Sequence, residues 1–349
     1  MSVRILIIGD LHFRPKEIDL NRLLVNETLE IIKETKPDCV VVLGDTLDTH
    51  DVYKGSAHAL AERFFLQIRL LSKLIILIGN HDLKNNQVDL SLGPADHPFT
   101  ALKYVDNITL VDEITTFKVG KFEFCAVPYL PNGRYLKAIS YLDPYSFKAF
   151  FSHQLFNFPG NYEEDPEDWP EDYPDNYNGH LHEYRKVKHN LTLVGTATTV
   201  DFGASPDKAL MLVTFGDEGV ESEERIPLKT VPLRIAYRIE ANLQNIKNIL
   251  NEIKSRDIGA TKNIYKVTVF GKATLLTNLK KNAYYKELES IVNKIVEESV
   301  GTDLVMCKGV TNKVIMNGDY EEILFELLAE YPKELEMYRR LFPNSNSVV

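Results

Sequence analysis

The sequence predicts an α/β fold in which two β-sheets pack against each other between outer helices. Over the first 82 residues, aliphatic runs alternate with amphipathic helical patterns, which is the β-α-β-α-β order of a parallel sheet. From residue 108 onward, short strand patterns follow one another with few helices between them. The length of 349 residues leaves room for two or three domains.

The first half of the chain supplies the elements of the parallel sheet. Three apolar runs, residues 4–8, 39–43 and 74–78, are predicted to be buried strands. Two segments between them, residues 19–36 and 56–72, repeat apolar residues at helical spacing and are predicted to cover the sheet. Polar side chains follow each strand directly, so the carboxyl edge of this sheet is the candidate site.

The middle of the chain is predicted to form a second sheet. Apolar runs typical of short strands lie at residues 108–111, 115–119, 122–127, 147–151, 191–194 and 209–215. Residues 163–175 contain eight carboxylates and three prolines, a composition that favours a solvated loop. We therefore expect a two-sheet sandwich with helices on its outer faces.

Near residue 230 the pattern changes again and indicates a small, separate α+β domain. Its predicted elements, in order, are a strand, a helix, a strand, a long helix and a strand, at residues 233–239, 243–253, 264–270, 275–300 and 304–314.

The last segment is predicted to be a helix-turn-helix. Residues 318–342 carry two apolar stripes separated by Pro332. Such stripes are too apolar for free surface helices, so we expect either a partner chain or the preceding domain to cover them. The predicted domains are therefore residues 1–230, 231–316 and 317–349.

The composition is that of a globular protein without a membrane partner. Hydrophobic residues make up 44% of the chain and charged residues 26%. No signal-peptide pattern opens the chain, and no apolar run approaches the roughly 20 residues of a membrane span. Cys39 and Cys125 lie in apolar runs and Cys307 is the third cysteine, which favours buried thiols in a reducing, cytoplasmic compartment.

The net charge of −10 argues against a nucleic-acid partner, because lysine and arginine make the contacts to phosphates. Two features weaken this argument. Bound divalent cations would neutralise several carboxylates, and residues 163–175 concentrate much of the acid in one predicted loop.

Four short motifs place metal-type side chains after a glycine, at residues 9–12, 44–48, 79–82 and 179–182. The first three directly follow predicted parallel strands, whose carboxyl ends meet at one edge of a sheet. A further histidine follows the strand predicted at 147–151. The candidate side chains are Asp10, His12, Asp45, Asp48, Asn80, His81, His153, His180 and His182.

This donor set predicts a site for two metal ions. Mixed carboxylate, imidazole and amide donors suit divalent manganese, iron or zinc. The candidates are too numerous for one ion, and two ions a few ångströms apart require a bridging carboxylate. Such pairs serve the hydrolysis of phosphate esters.

The four motifs, Asp-x-His, Gly-Asp-x-x-Asp, Gly-Asn-His-Asp and Gly-His-x-His in this order, resemble those of the calcineurin-like metallophosphoesterases over about residues 1–215. The resemblance implies a four-layer α/β/β/α sandwich and seven metal ligands in two groups that share one carboxylate. The first group is Asp10, His12 and His182; the second is Asn80, His153 and His180; the shared carboxylate is Asp45.

The resemblance also assigns roles outside the ligand set. His81 would not bind metal but would stabilise the transition state or protonate the leaving oxygen as a general acid. Asp82 would orient His81. Asp48 would lie behind the ligands, or bind weakly where some relatives carry histidine. The remaining histidines, His50, His58, His97 and His189, are interpreted as ordinary surface or internally bonded residues.

The order of a phosphoesterase domain, a small α+β cap and a helix-turn-helix resembles the SbcD nuclease family of bacteria and bacteriophages. Residues 194–197 resemble a Gly-Ser/Thr-Pro stretch of that family, with Ala197 in place of the proline. The resemblance implies a manganese-dependent nuclease, with magnesium, iron or zinc as other possible metals, acting on double-stranded DNA ends and hairpins during repair or recombination. Its partners would be an SbcC-type ATPase and a second copy of the chain, in the cytoplasm of a bacterium or an infected host cell.

Two other functions remain open. The first is an enzyme acting on a small or non-DNA phosphoester, such as a cyclic nucleotide, or on a phosphoprotein; the negative net charge favours it. The second is a non-catalytic scaffold on the same fold, which the complete set of ligand types disfavours.

Overall fold

The predicted alternation of strands and helices is present in the computed structural model, which describes residues 2–50, 54–84, 96–158, 165–257 and 262–299. The strands are β1 Val3–Ile8, β2 Cys39–Val42, β3 Lys73–Leu77, β4 Ile108–Val111, β5 Thr115–Val119, β6 Phe122–Val127, β7 Ala149–Ser152, β8 Asp175–Asn178, β9 Arg185–Lys188, β10 Leu191–Leu193, β11 Ala209–Phe215, β12 Val220–Pro227, β13 Arg234–Glu240, β14 Ile264–Gly271 and β15 Lys294–Ser299. The α-helices are α1 Ile18–Thr35, α2 Gly55–Ile68, α3 Tyr135–Ile139, α4 Leu243–Arg256, α5 Ala273–Leu279 and α6 Ala283–Ile291.

The apolar runs of the first half form the centre of one six-stranded sheet, in the order β12-β11-β1-β2-β3-β4. Strands β1 to β4 run parallel to one another, as the helical connections through α1 and α2 require. Strands β11 and β12 add antiparallel pairing beyond β1. The carboxyl ends of β1, β2 and β3 therefore meet at the same edge.

A second six-stranded sheet has the order β5-β6-β7-β8-β10-β9. Its four central strands are parallel, and the edge strands β5 and β9 are antiparallel to their neighbours. Three strands of the two large sheets are absent from the sequence prediction: β8, β9 and β12. All three are rich in polar residues, so hydrophobic periodicity gives little signal for them.

The two faces of β1 show how the sheets build the core. Successive side chains of a strand point to opposite faces. Ile5 and Ile7 belong to the apolar layer between the two sheets, together with Phe151 of β7. Leu6 and Ile8 belong to the layer beneath α1 and α2. The strand is buried on both faces because it lies in the middle of a layered fold.

The outer face of the second sheet is covered by aromatic side chains around the short helix α3. Trp169 is fully buried and stacks on Tyr135, with ring centroids 5.6 Å apart. Glu167 is 7% exposed, and its carboxylate accepts a hydrogen bond from the backbone N–H of Tyr135 at 2.5 Å. The prediction of a solvated loop over 163–175 is therefore wrong for these residues, because Trp169 anchors the segment to the sheet.

A third, smaller sheet follows the first two and has the all-parallel order β13-β14-β15. The long helix predicted over 275–300 is wrong. Its first part divides into α5 and α6, where the Asn282 side chain accepts a hydrogen bond from the backbone N–H of Tyr284 and caps the second helix. Its last part is β15, which pairs in register with β14. Pairing with a neighbouring strand outweighs the helical pattern there.

The fold class is confirmed as mixed α/β with two large sheets. The domain boundaries at residues 230 and 316 stay predictions. The strand predicted at 304–314, the helix-turn-helix at 317–349 and Cys307 lie outside the described residues. Within the described residues, no helix combines the length and apolarity that crossing a bilayer requires.

Replacing Phe151 by alanine tests the inter-sheet core. The side chain is fully buried between Phe117, Phe124 and Tyr177. We expect a loss of about 3–5 kcal/mol in the free energy of unfolding, from lost burial and the cavity left behind. Urea denaturation measures it, with Leu70→Ala, at a side chain that is 73% exposed, as the control. A loss for Phe151→Ala as small as that of the control would contradict this packing.

Candidate metal centre

Five loops meet at the carboxyl edge of the two large sheets. Three of them follow β1, β2 and β3, and the other two follow β7 and β8 of the second sheet. Backbone hydrogen bonds join the loops: the N–H groups of Leu11 and His12 donate to the Asp45 carbonyl at 3.1 and 2.9 Å. The N–H of Thr196 donates to the His182 carbonyl at 3.1 Å. The predicted ligands therefore lie on loops that are held together.

The first predicted group of ligands, Asp10, His12 and His182, is assembled in the structure. One candidate atom from each residue lies within 4.8 Å of the other two. The Nε2 atoms of His12 and His182 are 3.0 Å apart. Two imidazole nitrogens that face each other beside a carboxylate form a suitable set of donors for a divalent cation.

The second predicted group converges on the side-chain oxygen of Asn80. This Oδ1 atom is 3.0 Å from Nε2 of His153 and 2.8 Å from Nδ1 of His180. The Nδ1–H of His153 donates to the Leu43 carbonyl at 2.7 Å, which leaves Nε2 to face the site. A backbone carbonyl commonly fixes a metal-binding histidine in this way.

Asp45 lies between the two groups, where a bridging ligand must lie. Its Oδ1 is 3.3 Å from Nε2 of His153, and its Oδ2 is 3.8 Å from Nε2 of His12. The same Oδ1 accepts a hydrogen bond from the backbone N–H of His81 at 2.8 Å. One carboxylate is thus within reach of both groups.

Three buried atoms of these residues lack a hydrogen-bond partner among the described residues. They are Oδ2 of Asp10, Oδ2 of Asp45 and Nδ1 of His12. Buried polar atoms are nearly always partnered, by protein, water or an ion. Orphaned carboxylate oxygens beside imidazole nitrogens fit divalent cations, so the residues present suit the metal pair that the sequence predicts.

The pKa values of the buried carboxylates are shifted in different directions. Burial raises the pKa of Asp10 well above its usual range and that of Asp82 to about 7, and the charge of Asp45 adds to both shifts. Burial would also raise the pKa of Asp45, but the neighbouring His153 holds it well below its usual range. The cluster therefore needs positive charge to remain ionised.

The histidines respond to the same environment in two ways. Burial lowers the pKa of His12 and His180 to about 3, so both are neutral at physiological pH and able to bind metal. Burial also acts to lower the pKa of His153, but the carboxylates of Asp45 and Asp10 raise it to about 9. Without a cation, the proton on His153 compensates part of the buried negative charge.

The backbone is strained where the ligands lie. His12, Asp45 and His180 have φ angles of 45°, 44° and 68°, in the left-handed region that non-glycine residues avoid. Each costs roughly 1–3 kcal/mol and persists only where surrounding contacts enforce it. A Cβ added to Gly179 would lie 2.6 Å from Oδ1 of Asp10, so only glycine lets these two loops approach.

The role predicted for Asp82, which is to orient His81, stays a prediction. Its carboxylate accepts hydrogen bonds from the backbone N–H groups of Gly79, Thr46 and Leu47 at 3.1, 3.2 and 2.9 Å. It therefore ties the loop after β3 to the loop after β2. The imidazole of His81 is hydrogen-bonded through Nδ1 to the Asp48 carbonyl, 2.9 Å away.

Asp48 lies behind His12, with its Oδ1 3.7 Å from Nδ1 of His12. The stronger contact of this carboxylate is with Arg14, whose Nη2 is 2.6 Å away. Arg14 was not among the predicted site residues, because a single arginine two positions after a ligand carries no motif signal.

His50 is the second site residue that the sequence did not reveal. It was interpreted as an ordinary histidine, yet its ring stacks on that of His81 with centroids 4.5 Å apart. Its position five residues after Asp45, in the same loop, was the available signal. His97 does have the internal partner expected of it, with Nε2 3.1 Å from Asp112, and His189 is exposed.

His81 presents one ambiguity of geometry. One of its ring nitrogens lies within 4.8 Å of candidate atoms on His12 and Asp45, so distance alone would allow it as a ligand. Because Nδ1 is engaged with the Asp48 carbonyl, Nε2 is the nitrogen left for the site. Its exclusion from the ligand set stays a prediction.

Comparisons with known proteins identify the relatives of this chain. The model of the calcineurin-like phosphoesterase family matches residues 3–187. "Putative phosphoesterase 078R" of Invertebrate iridescent virus 3 is 31% identical over 295 residues, which cover 82% of both chains. "Putative phosphoesterase 244L" of Invertebrate iridescent virus 6 is 32% identical over 262 residues, covering 73% of this chain and 92% of that one.

A solved structure of Yfce, a phosphoesterase from E. coli, is 12% identical and covers 64% of this chain and 99% of that chain, with a TM-score of 0.30. The likeness is too distant to inform the residues of the site.

Metal binding to the metal-free protein should release protons. His153 holds an additional proton below about pH 9, and a histidine must be neutral to bind metal, so manganese binding at about pH 7.5 should release at least one proton per chain. Apparent affinity should rise with pH up to about 9 and then level off. Titration calorimetry in two buffers of different ionisation enthalpy measures the release, with His153→Gln as the control. Affinity independent of pH between 7 and 9 would contradict the expected displacement.

Proposed function

The chain belongs to the calcineurin-like phosphoesterase family, and from that premise we propose that it is a manganese-dependent nuclease that hydrolyses phosphodiester bonds in DNA. The family uses divalent metals. The observation that carries the proposal is the position of Asp45 between two groups of candidate ligands, with a buried oxygen that has no hydrogen-bond partner among the described residues. Such an arrangement suits hydrolysis of a phosphoester.

The chain's own residues then have defined tasks. When bound, two divalent cations supply a nucleophile at neutral pH and stabilise charge on the phosphoryl oxygens. His81 donates its Nδ1–H to the Asp48 carbonyl, so Nε2 faces the site and, when protonated, donates a proton to the leaving oxygen. Asp45 accepts the backbone N–H of His81 and thereby places that residue beside the ligands.

The residues beyond the phosphoesterase sheets support DNA as the substrate. Strands β13 to β15 and helices α4 to α6 form an additional unit after the two large sheets. The 295 residues shared with the first viral relative exceed the segment 3–187 that the family model matches, so the likeness is not confined to the catalytic core. An additional unit of this kind offers a surface for a substrate larger than a single phosphoester.

The proposal extends to double-stranded ends and hairpins as substrates and to an SbcC-type ATPase as a partner, with two copies of this chain in the complex. The sequence pattern of residues 317–349, which lie outside the described part of the chain, supports a helical docking segment. We propose manganese as the metal because the donors are oxygen and imidazole nitrogen, without cysteine.

Two basic side chains that follow the Gly-His-x-His motif in the sequence favour a second candidate, hydrolysis of a small or non-DNA phosphoester. Lys186 pairs with Glu223 at 3.1 Å and Lys188 with Asp168 at 2.7 Å, so neither offers unopposed charge to a DNA backbone. In the additional unit, Lys280 pairs with Glu297 at 2.7 Å. Together with the net charge of −10, these pairs suit a small substrate.

Two substitutions separate metal binding from proton transfer. Asp45→Asn should lower both metal content and hydrolysis of bis(p-nitrophenyl) phosphate, because the shared anionic ligand is lost. His81→Ala should keep its metal while kcat falls roughly 100- to 10,000-fold, the usual contribution of a general acid. Plasma emission spectroscopy measures metal content. Loss of metal in His81→Ala would show that His81 is a ligand and contradict its assigned role.

End-labelled double-stranded DNA tests the nuclease proposal directly. With manganese, we expect release of labelled nucleotides by the native chain and no release by His81→Ala. A hairpin substrate of the same sequence should be opened by the native chain as well. Hydrolysis of bis(p-nitrophenyl) phosphate without any cleavage of DNA would contradict the proposal for this chain alone and support the small-substrate alternative.

A further inference from the structure

A second imidazole covers the ring of His81. The rings of His50 and His81 stack face to face, with centroids 4.5 Å apart and planes inclined by 23°. His12 approaches the same ring edge-on, with centroids 5.0 Å apart and planes inclined by 86°. The ring of His81 therefore contacts two other histidine rings, of which only His12 belongs to a predicted metal-binding group.

The loop that carries His50 also holds a nitrogen of His81. Nδ1 of His81 is 2.9 Å from the carbonyl oxygen of Asp48, two residues before His50. A carbonyl oxygen only accepts, so Nδ1 donates and Nε2 remains for the substrate. Because the carbonyl and the stacked ring come from one stretch of backbone, they set the rotation and the tilt of the imidazole together.

This stretch is itself anchored to neighbouring loops. The carboxylate of Asp48 accepts from Nη2 of Arg14 at 2.6 Å, and Nη1 of the same guanidinium donates to the Val200 carbonyl at 2.5 Å. The backbone N–H of Leu47 donates to Asp82 at 2.9 Å. A ring presented from such a fixed backbone can hold a neighbouring side chain in one orientation.

We propose that His50 is a positioning residue, whose ring stacks on His81 and holds the imidazole so that Nε2 faces the leaving oxygen. The inference rests on the catalytic role proposed above for His81. It assigns to the loop 44–50 the orienting task that sequence reasoning gave to Asp82. The flat face of His50 performs this task, and its ring nitrogens do not take part.

A double-mutant cycle with His81 tests the proposal. His50→Ala should lower kcat for bis(p-nitrophenyl) phosphate roughly 10- to 100-fold, as expected for a misplaced acid, with KM and metal content unchanged. In the His81→Ala background, His50→Ala should cause no further loss, because no ring remains to be positioned. His50→Phe keeps a flat ring and should restore kcat to within about threefold of the native value. His189→Ala, at an exposed histidine, is the matched control.

A second readout does not depend on activity. In the metal-free protein, side-chain nitrogen NMR should show His81 with its proton on Nδ1 in the native chain and in His50→Phe. In His50→Ala the two tautomers should mix, because the ring can rotate away from the Asp48 carbonyl.

Two results would overturn the positioning role of His50, and a third would remove the catalytic role of His81. Equal losses from His50→Ala in the native and His81→Ala backgrounds would overturn the inference. Failure of His50→Phe to restore kcat would overturn it as well, because the ring nitrogens would then be required. Full turnover by His81→Ala alone would instead remove the catalytic role proposed for His81, and the positioning role of His50 with it.

Discussion

Asp10, Asp45 and Asp82 are buried at one sheet edge, where desolvation and mutual repulsion both oppose their negative charge. None is more than 3% exposed. An unpaired buried carboxylate is costly, so each must find hydrogen bonds, a proton or a cation. The carboxylate of Asp82 accepts hydrogen bonds from three backbone N–H groups. Within the described part of the chain, Asp10 and Asp45 each retain an oxygen without a hydrogen-bond partner, which makes the site suited to metal.

The fold meets this constraint by bringing loops together at the ends of buried strands. Parallel pairing of β1, β2 and β3 aligns three loops at one edge, and the parallel strands β7 and β8 of the second sheet deliver two more. The loops approach so closely that glycine is required where they touch, and three candidate ligands adopt left-handed backbone angles. The packed apolar layers on both sides of β1 hold this strained arrangement in place.

Particular residues show how far sequence reasoning reaches. Asp10, His12 and Asp45 follow strands whose apolar runs are unmistakable, and the structure brings them together with His182 as the motif order implies. Periodicity was less informative for the polar strand β8 and for residues 294–299, where strand pairing replaced a predicted helix. The acidic composition around Trp169 predicted a solvated loop, but the Trp169 side chain is fully buried and anchors the segment to the sheet.

The sequence by itself determined the types of side chain at the site and the sheet edge at which they lie. Alternating strands and helices permit one parallel arrangement, and the first three motifs directly follow its strands. Only the tertiary structure decided which atoms meet. The contact of Asp82 with Leu47, the carbonyl of Asp48 beside His81 and the ring of His50 over it all join two separate loops. Such contacts depend on strand register and loop backbone angles, and local residue patterns do not specify either.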